Sequence, residues 1–139
     1  MNVRTYELKL STKGDNDTVD ITDSVRHYVE KSGLNEGSVT IFVPGSTGAV
    51  TTIEYEPGVV TDLKEFLDRL IPSGSGYKHD QAWGDGNAHS HLKAALVGPS
   101  LSVPFSSGSL ILGTWQQIVF LDFDNRSRSR RIMIQLVGE

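Results

Sequence analysis

The chain contains no cysteine, so neither a disulfide framework nor thiol chemistry is available to it. No apolar run approaches the roughly 18 residues of a membrane-spanning helix, which argues against a role within a membrane. The opening stretch MNVRTYELKLST holds no apolar signal-peptide core, and cytoplasm is the expected compartment. An excess of positive charge is missing too. Thirteen Lys and Arg stand against 17 Asp and Glu, and a net charge of −4 disfavours nucleic-acid binding through bulk charge. No internal repeat or low-complexity linker is evident. What is left is ordinary globular composition, 37% hydrophobic and 22% charged over 139 residues. That length suits a single domain, 1–139, with a real core.

The most informative stretch is Tyr77 to Gly98, YKHDQAWGDGNAHSHLKAALVG, which holds three of the four histidines together with Asp80, Trp83, Asp85 and Asn87. A short loop is expected to feed a helix from about Asn87 to Val97. Asp85 or Asn87 can cap that helix by accepting from the free amides of its first turn, and Gly98-Pro99 stops it. Asn87 and His91 are four apart and share a face. Ala88, Leu92, Ala95 and Leu96 form the apolar stripe beside them, which puts His91 at the edge of the buried face and points His89 roughly the other way. One helix cannot offer both histidines to a single metal ion, but His79 in the loop can join either. A zinc site has little support, because there is no cysteine and HxH on a helix is not a specific ligand spacing. A satisfied, half-buried histidine in a polar surface loop is an equally fair reading.

Elsewhere the periodicities are clear. Tyr6, Leu8 and Leu10 alternate with polar residues, Val39, Ile41 and Val43 alternate with Thr40 and Phe42 in a strand with apolar groups on both faces, and Val50 to Tyr55 continues the extended pattern. Val19 and Ile21 precede a helix capped by Thr22 or Asp23 that ends near Gly33. Val59, Val60, Leu63, Phe66, Leu67, Leu70 and Ile71 make a wide helical stripe that Pro72 ends, followed by the polar loop 73–76. After Gly98 come short strands at Leu101 to Phe105 and Leu110 to Leu112. Trp115 to Phe123 is apolar on both faces and so central. The loop DNRSRSR leads into a final strand, Arg131 to Val137. About eight strands and three helices, helices early and strands late, describe an α+β domain of mostly antiparallel, sandwich-like sheets.

Three further features carry candidate chemistry. The turn Gly45-Ser46-Thr47-Gly48 can offer amides and hydroxyls to an anion, though it lacks the lysine and the helix of a phosphate-binding P-loop. Glu54 can act as a base if its face lines a cleft. Four arginines between Arg126 and Arg131 repel one another unless they meet phosphates or carboxylates, Asp122 and Asp124 being the nearest.

The segments IEYEPGVVTDL at 53–63, His79, NAHSHLKAALVG at 87–98, LGTWQQIVFLDFD at 112–124 and the Arg-rich loop before IMIQLVGE resemble the YjbQ-like family, described as a secondary thiamine-phosphate synthase family. The resemblance covers about residues 40–139 by motif. It implies an α+β sandwich-like fold that assembles as a homotrimer. It also implies a polar set of Glu54, Asp62, His79, Asn87, His91 and Gln116, in which His89 has no part. Where many members have a histidine before the residue matching Thr47, this chain has Ser46. A phosphorylated small molecule is the implied partner, since joining a pyrimidine pyrophosphate to a thiazole phosphate releases pyrophosphate and calls for anion clamps. On that reading His79, His91, Glu54 and Asn87 are catalytic, and Ser46, Thr47, Gln116, Arg126 and Arg128 hold substrate. A divalent metal on His79 and His91 is a further expectation. The doubly apolar strand from Trp115, which three helices cannot easily cover in one chain, points the same way as the family's trimer.

Overall fold

The computed structural model describes residues 1–74 and 76–139, so Ser75 of the expected polar loop lies outside the described residues. It contains eight strands and four helices among those residues. Strands β1 (Asn2–Thr12), β8 (Arg128–Gly138), β3 (Gly37–Phe42), β5 (Ser100–Ser106) and β6 (Ser109–Leu110) form one sheet in that order. Strands β2 (Asp17–Asp20), β7 (Gln117–Asp122) and β4 (Gly48–Ile53) form a second, and every pairing is antiparallel. The helices are α1 (Thr22–Ser32), α2 (Pro57–Leu70), α3 (Lys78–Trp83) and α4 (Ala88–Val97). The α+β, antiparallel reading of the sequence holds.

Alternation places the core. In β8, Ile132, Ile134 and Leu136 turn inward, and Val39 and Ile41 of β3 lie beside them. Ile118 and Phe120 of β7 and Val50 of β4 meet this layer from the small sheet, and Val25 and Val29 of α1 complete it. The other face of the small sheet, Ala49, Val119, Leu121 and Phe123, packs on Leu67 of α2 and Ala94 of α4. The molecule is therefore a large sheet, a small sheet and a helical layer. β7 is central, and residues 118–122 are at most 1% exposed within one chain. The expectation that this strand needs a neighbouring subunit to cover it is corrected: α2 and α4 take one face and the large sheet takes the other. Trp115, expected to open the strand, precedes it in a turn and is 73% exposed.

The helices depart further from expectation. On α2 only Leu67 is buried, while Phe66 and Leu70 of the wide stripe are exposed. On α4 the stripe is reversed except at Ala88, which is buried as expected. Leu92, Ala95 and Leu96 face out, and Ala88, His89, Ser90, Lys93 and Ala94 face in. The reason is polar pairing beneath the helix: Lys93 Nζ donates to Asp68 Oδ1 at 2.6 Å and to Asn16 Oδ1 at 3.1 Å, which makes the burial of an ammonium tolerable. Small Ala94 then lets α4 lie close on β4.

The inward row of β8 continues below Ile132 as Arg130, and that of β7 continues below Phe120 as Asp122. The two meet as a buried ion pair. Arg130 Nε and Nη2 donate to Asp122 Oδ2 and Oδ1, each at 2.8 Å, and Nη2 also donates to Thr47 Oγ1 at 2.7 Å. Arg128 donates to Asp124 Oδ2 at 2.6 Å, and the Thr12 hydroxyl donates to Asp122. Burial alone would push the Asp122 carboxyl up. Hydrogen bonds from Arg130, Thr12 and the Asp124 amide, with the Arg130 charge, outweigh that and hold it below its ordinary value of 3.8.

Removing one partner leaves an uncompensated buried charge, so Arg130→Ala should cost on the order of 3–5 kcal/mol in urea unfolding. Replacing both partners by apolar side chains should cost less. Because the folded Asp122 pKa is depressed, its contribution is complete above the unfolded value of about 4 and is lost as pH falls through the folded value. Unfolding free energies measured between neutral and strongly acidic pH should show this loss in the parent and not in Asp122→Asn.

Candidate functional site

The histidine stretch folds as two helices rather than as a loop and one helix. The six-residue α3 ends at Gly84, whose φ of 72° is the left-handed conformation glycine adopts freely. Neither Asp85 nor Asn87 caps α4. Asp80, on α3, accepts from the Ala88 amide at 3.0 Å and takes that role from a distance. This frees the Asn87 side chain, whose Oδ1 accepts from His79 Nε2 at 3.0 Å; Asp85 Oδ1 lies 3.4 Å from the same nitrogen.

His79 and His91 meet edge to face, with ring centroids 4.9 Å apart. His91 Nδ1 lies 3.0 Å from the Ser46 carbonyl oxygen, which can only accept, so Nδ1 carries a proton. In the neutral ring Nε2 is then a free lone pair. For His79 the amide oxygen of Asn87 places the proton on Nε2. The two imidazoles thus have opposite tautomers, each set by a neighbour. They open onto a cavity of about 340 Å³ lined by Tyr77, Lys78, His79, Ala88, His91 and Leu92. On the other side of His91 lies a smaller one of about 190 Å³, bounded by Gly45, Ser46, Gly48 and Ala94 among others. A free imidazole lone pair on His91 and one flexible cation, Lys78, can serve proton transfer on a small substrate.

The other residues proposed from the sequence are placed differently. Glu54 and Asp62 are exposed, and neither forms a hydrogen bond or ion pair with the histidines among the described residues. Ser46 serves through its backbone carbonyl. The Thr47 hydroxyl is taken by Arg130 and Asp124, and Arg128 by Asp124, so these two belong to the buried ion-pair cluster rather than to an open anion site. The second half of the turn packs down: Thr47 and Gly48 are buried, and a Cβ on Gly48 would come within 2.8 Å of the Phe120 ring. Gln116 closes its own turn, accepting from Gly113 N–H and donating to Thr52 Oγ1, both at 3.0 Å. Arg126 is exposed and unpaired among the described residues. No group of three or more His, Asp or Glu side chains there is arranged to hold a metal ion, so His79 and His91 lack the third ligand a metal would need. No described helix is long and apolar enough to cross a membrane. Sequence reasoning missed Tyr77, Lys78 and Leu92 as cleft walls and Asp80 as the cap. Only Asp80 carried a signal, a carboxylate embedded in the histidine stretch.

Residues 6–139 match the family described as "UPF0047 protein YjbQ-like". A UPF0047 protein of Archaeoglobus fulgidus is 45% identical over 129 residues, 93% of this chain and 98% of its own length. The UPF0047 protein YugU of Bacillus subtilis is 33% identical, covering 98% and 99% of the two chains. Among solved structures, a YbjQ-like protein of unknown function from Sulfolobus solfataricus superposes with a TM-score of 0.90 at 33% identity, covering 99% of this chain and 100% of that one. A YjbQ/UPF0047 protein of Clostridium acetobutylicum gives 0.88 at 36% identity over 95% and 99%.

The tautomers are directly testable. Long-range nitrogen–proton correlation spectra at a pH where the rings are neutral should show His91 protonated on Nδ1 and His79 on Nε2. Finding His91 protonated on Nε2 would remove the free base from the cleft.

Proposed function

The chain belongs to the UPF0047, YjbQ-like family, and from that premise we propose that it is an enzyme acting on a small phosphorylated molecule in the His79–His91 cleft. The activity to test is a thiamine-phosphate synthase-like condensation. The observation that carries this reading is the pair of contacting imidazoles with opposite, externally fixed tautomers at the wall of an open cavity. In the condensation the thiazole nitrogen attacks the methylene carbon of the pyrimidine pyrophosphate. The carbon–oxygen bond breaks, and pyrophosphate leaves with the bonding electron pair. The reaction needs donors and positive charge at the departing oxygens. The Lys78 ammonium at the cavity wall is the group of this chain suited to that task, with the exposed Arg126 as a further anion contact, because the one N–H of a neutral His79 is spent on Asn87. The condensation itself moves no proton, so His91, with Nε2 free, serves by accepting a hydrogen bond from the substrate and orienting it.

The polar family set is incomplete around one copy of the cleft, because Glu54 and Asp62 lie exposed elsewhere on the surface. Leu92, Leu96 and Trp83 form exposed apolar surface on and near the cleft helices, an aggregation liability unless another surface covers it. A homotrimer closing over that surface and Trp115 answers both points, and cyclic closure is the usual solution. A metal on His79 and His91, with no third ligand from the described residues of one chain, would take its remaining ligands from substrate or a second subunit.

Turnover of the two phosphorylated precursors should fall by about 10²-fold in His91→Ala with the melting temperature retained. If phosphorylated metabolites raise the melting temperature without turnover, the chain is a binding protein; if neither assay responds, the reading fails. Metal analysis of untagged protein, with thermal stability measured on metal addition, decides the metal version. Sedimentation equilibrium should give three times the 15.2 kDa chain mass, and Leu96→Glu should shift it toward the monomer.

A further inference from the structure

A second cavity, of about 370 Å³, lies beneath α4 on the side away from His91 and is lined by groups that the cleft does not use. Its walls include His89 and Lys93, one helical turn apart on the inward face of α4, and Asp68 and Lys64 of α2. Asp15 and Asn16 of the β1–β2 turn close it.

His89 is 8% exposed, and its Nδ1 has no hydrogen-bond partner among the described residues. The hydrogen bonds behind it say which kind of partner is wanted. The Ser90 hydroxyl donates to the Phe123 carbonyl, so Ser90 Oγ, 3.5 Å from His89 Nε2, can only accept from that nitrogen. The proton is therefore on Nε2, and Nδ1 is a buried lone pair that lacks a donor. Burial and then the Lys93 charge press the His89 pKa down against the opposing pull of Asp80, Asp15 and Asp68, so the ring is neutral at physiological pH. A buried acceptor left without a donor is costly, so a ligand that supplies one is favoured. Lys93 is 2% exposed, and its ammonium has three N–H donors. Two are spent on Asp68 and Asn16, which leaves one.

The charges lining this cavity cancel. Lys64 and Lys93 oppose Asp15 and Asp68. A simple anion placed here would face two carboxylates, and a simple cation would face two ammonium groups. A ligand carrying both charges a few ångströms apart meets its complement on each side. We propose that this cavity binds a small zwitterion, a free α-amino acid or a similar ammonium carboxylate. Its ammonium donates to His89 Nδ1 beside the Asp15 and Asp68 carboxylates, and its carboxylate accepts the remaining N–H of Lys93. The span between neighbouring side chains one helical turn apart, about 5–6 Å at Cβ, suits the short separation of the two charges in such a ligand. The Phe123 ring, 6.0 Å from Lys93 Nζ, supplies an apolar wall for a side chain. The volume is at the lower end of small-molecule sites, as a metabolite of this size requires. The proposal does not depend on the chemistry of the His79–His91 cleft.

Titration calorimetry of the full chain with glycine, L-serine and L-phenylalanine tests it, with ethylamine and acetate as the two half-molecules and inorganic phosphate as the simple anion. At least one amino acid should bind, with both half-molecules and phosphate weaker by about tenfold or more. His89→Phe removes the acceptor and keeps an aromatic filler, and should weaken binding about tenfold while remaining folded by circular dichroism. His89→Asn keeps an acceptor close to the Nδ1 position and should restore most of the affinity. His91→Ala should leave amino-acid binding unchanged, which separates this site from the cleft. No binding of any amino acid at millimolar concentration, phosphate or acetate binding as tightly as the zwitterion, or undiminished binding in folded His89→Phe would each overturn the proposal.

Discussion

The Arg130–Asp122 pair is the constraint on which the site's geometry depends. It fills the end of the core where the inward rows of β7 and β8 run out of apolar residues. Each of its members reaches outward to a different segment. Arg130 holds the Thr47 hydroxyl, and the Thr47 carbonyl accepts the Phe123 amide at 2.9 Å. Thr47 is thus held from two sides, which fixes its neighbour Ser46, and the Ser46 carbonyl sets the orientation and tautomer of His91. On the other flank the Asp124 carbonyl accepts the Asp15 amide at 2.7 Å and places the turn that closes the second cavity. An ion pair of this kind is weak evidence for net stability, since its desolvation roughly offsets its attraction. Its value here is positional: no apolar pair could hold a serine carbonyl in place through a threonine hydroxyl.

The sequence makes the strands legible because a period of two needs only a few residues to declare itself. Ile132, Ile134 and Leu136 are inward as read, and the doubly apolar stretch 118–123 is central as read. The same alternation, carried two residues upstream, puts Arg130 in the inward row. Its charge argues for a loop instead, so the sequence places the strand from Arg131, whereas β8 begins at Arg128. The helices were harder. The stripe rule assigns Leu92 and Leu96 to the core and Lys93 to solvent, and α4 does the opposite. What decides its orientation is Asp68 and Asn16, 25 and 77 residues away in the chain, and no local window contains them. Helix α3 is too short to show a period at all.

The same limits apply to the site. A concentration of His, Asp and Asn marked the right stretch, and His79, Asn87 and His91 do come together. Hydroxyls and guanidiniums that looked free in the sequence, Thr47 and Arg128, were already engaged by carboxylates brought in from the β7 end. Polar residue types state a capacity to bond. Whether that capacity is open to a ligand depends on long-range partners. His89 is the converse case, a residue with no marked role in the sequence whose bonding capacity the fold leaves open.

The rotation of α4 about its own axis links these observations. His89 and His91 are two residues apart and so point to nearly opposite sides of the helix, one into each cavity. Three ties fix that rotation: the Ser90 hydroxyl on the Phe123 carbonyl, Lys93 on Asp68 and Asn16, and the Ala88 amide on Asp80. Turning α4 by a single residue position, about 100°, would bury Leu92 and satisfy the apolar pattern. It would also break the three ties and withdraw both imidazoles from their cavities. The exposed leucines are the counterpart of that choice. The fold keeps apolar surface in solvent on one side of α4 so that two histidines and a lysine are presented at fixed angles on the others. Surface of that kind is what a closing subunit would cover, and because Leu92 also walls the His79–His91 cavity, such a subunit would reach the rim of that site.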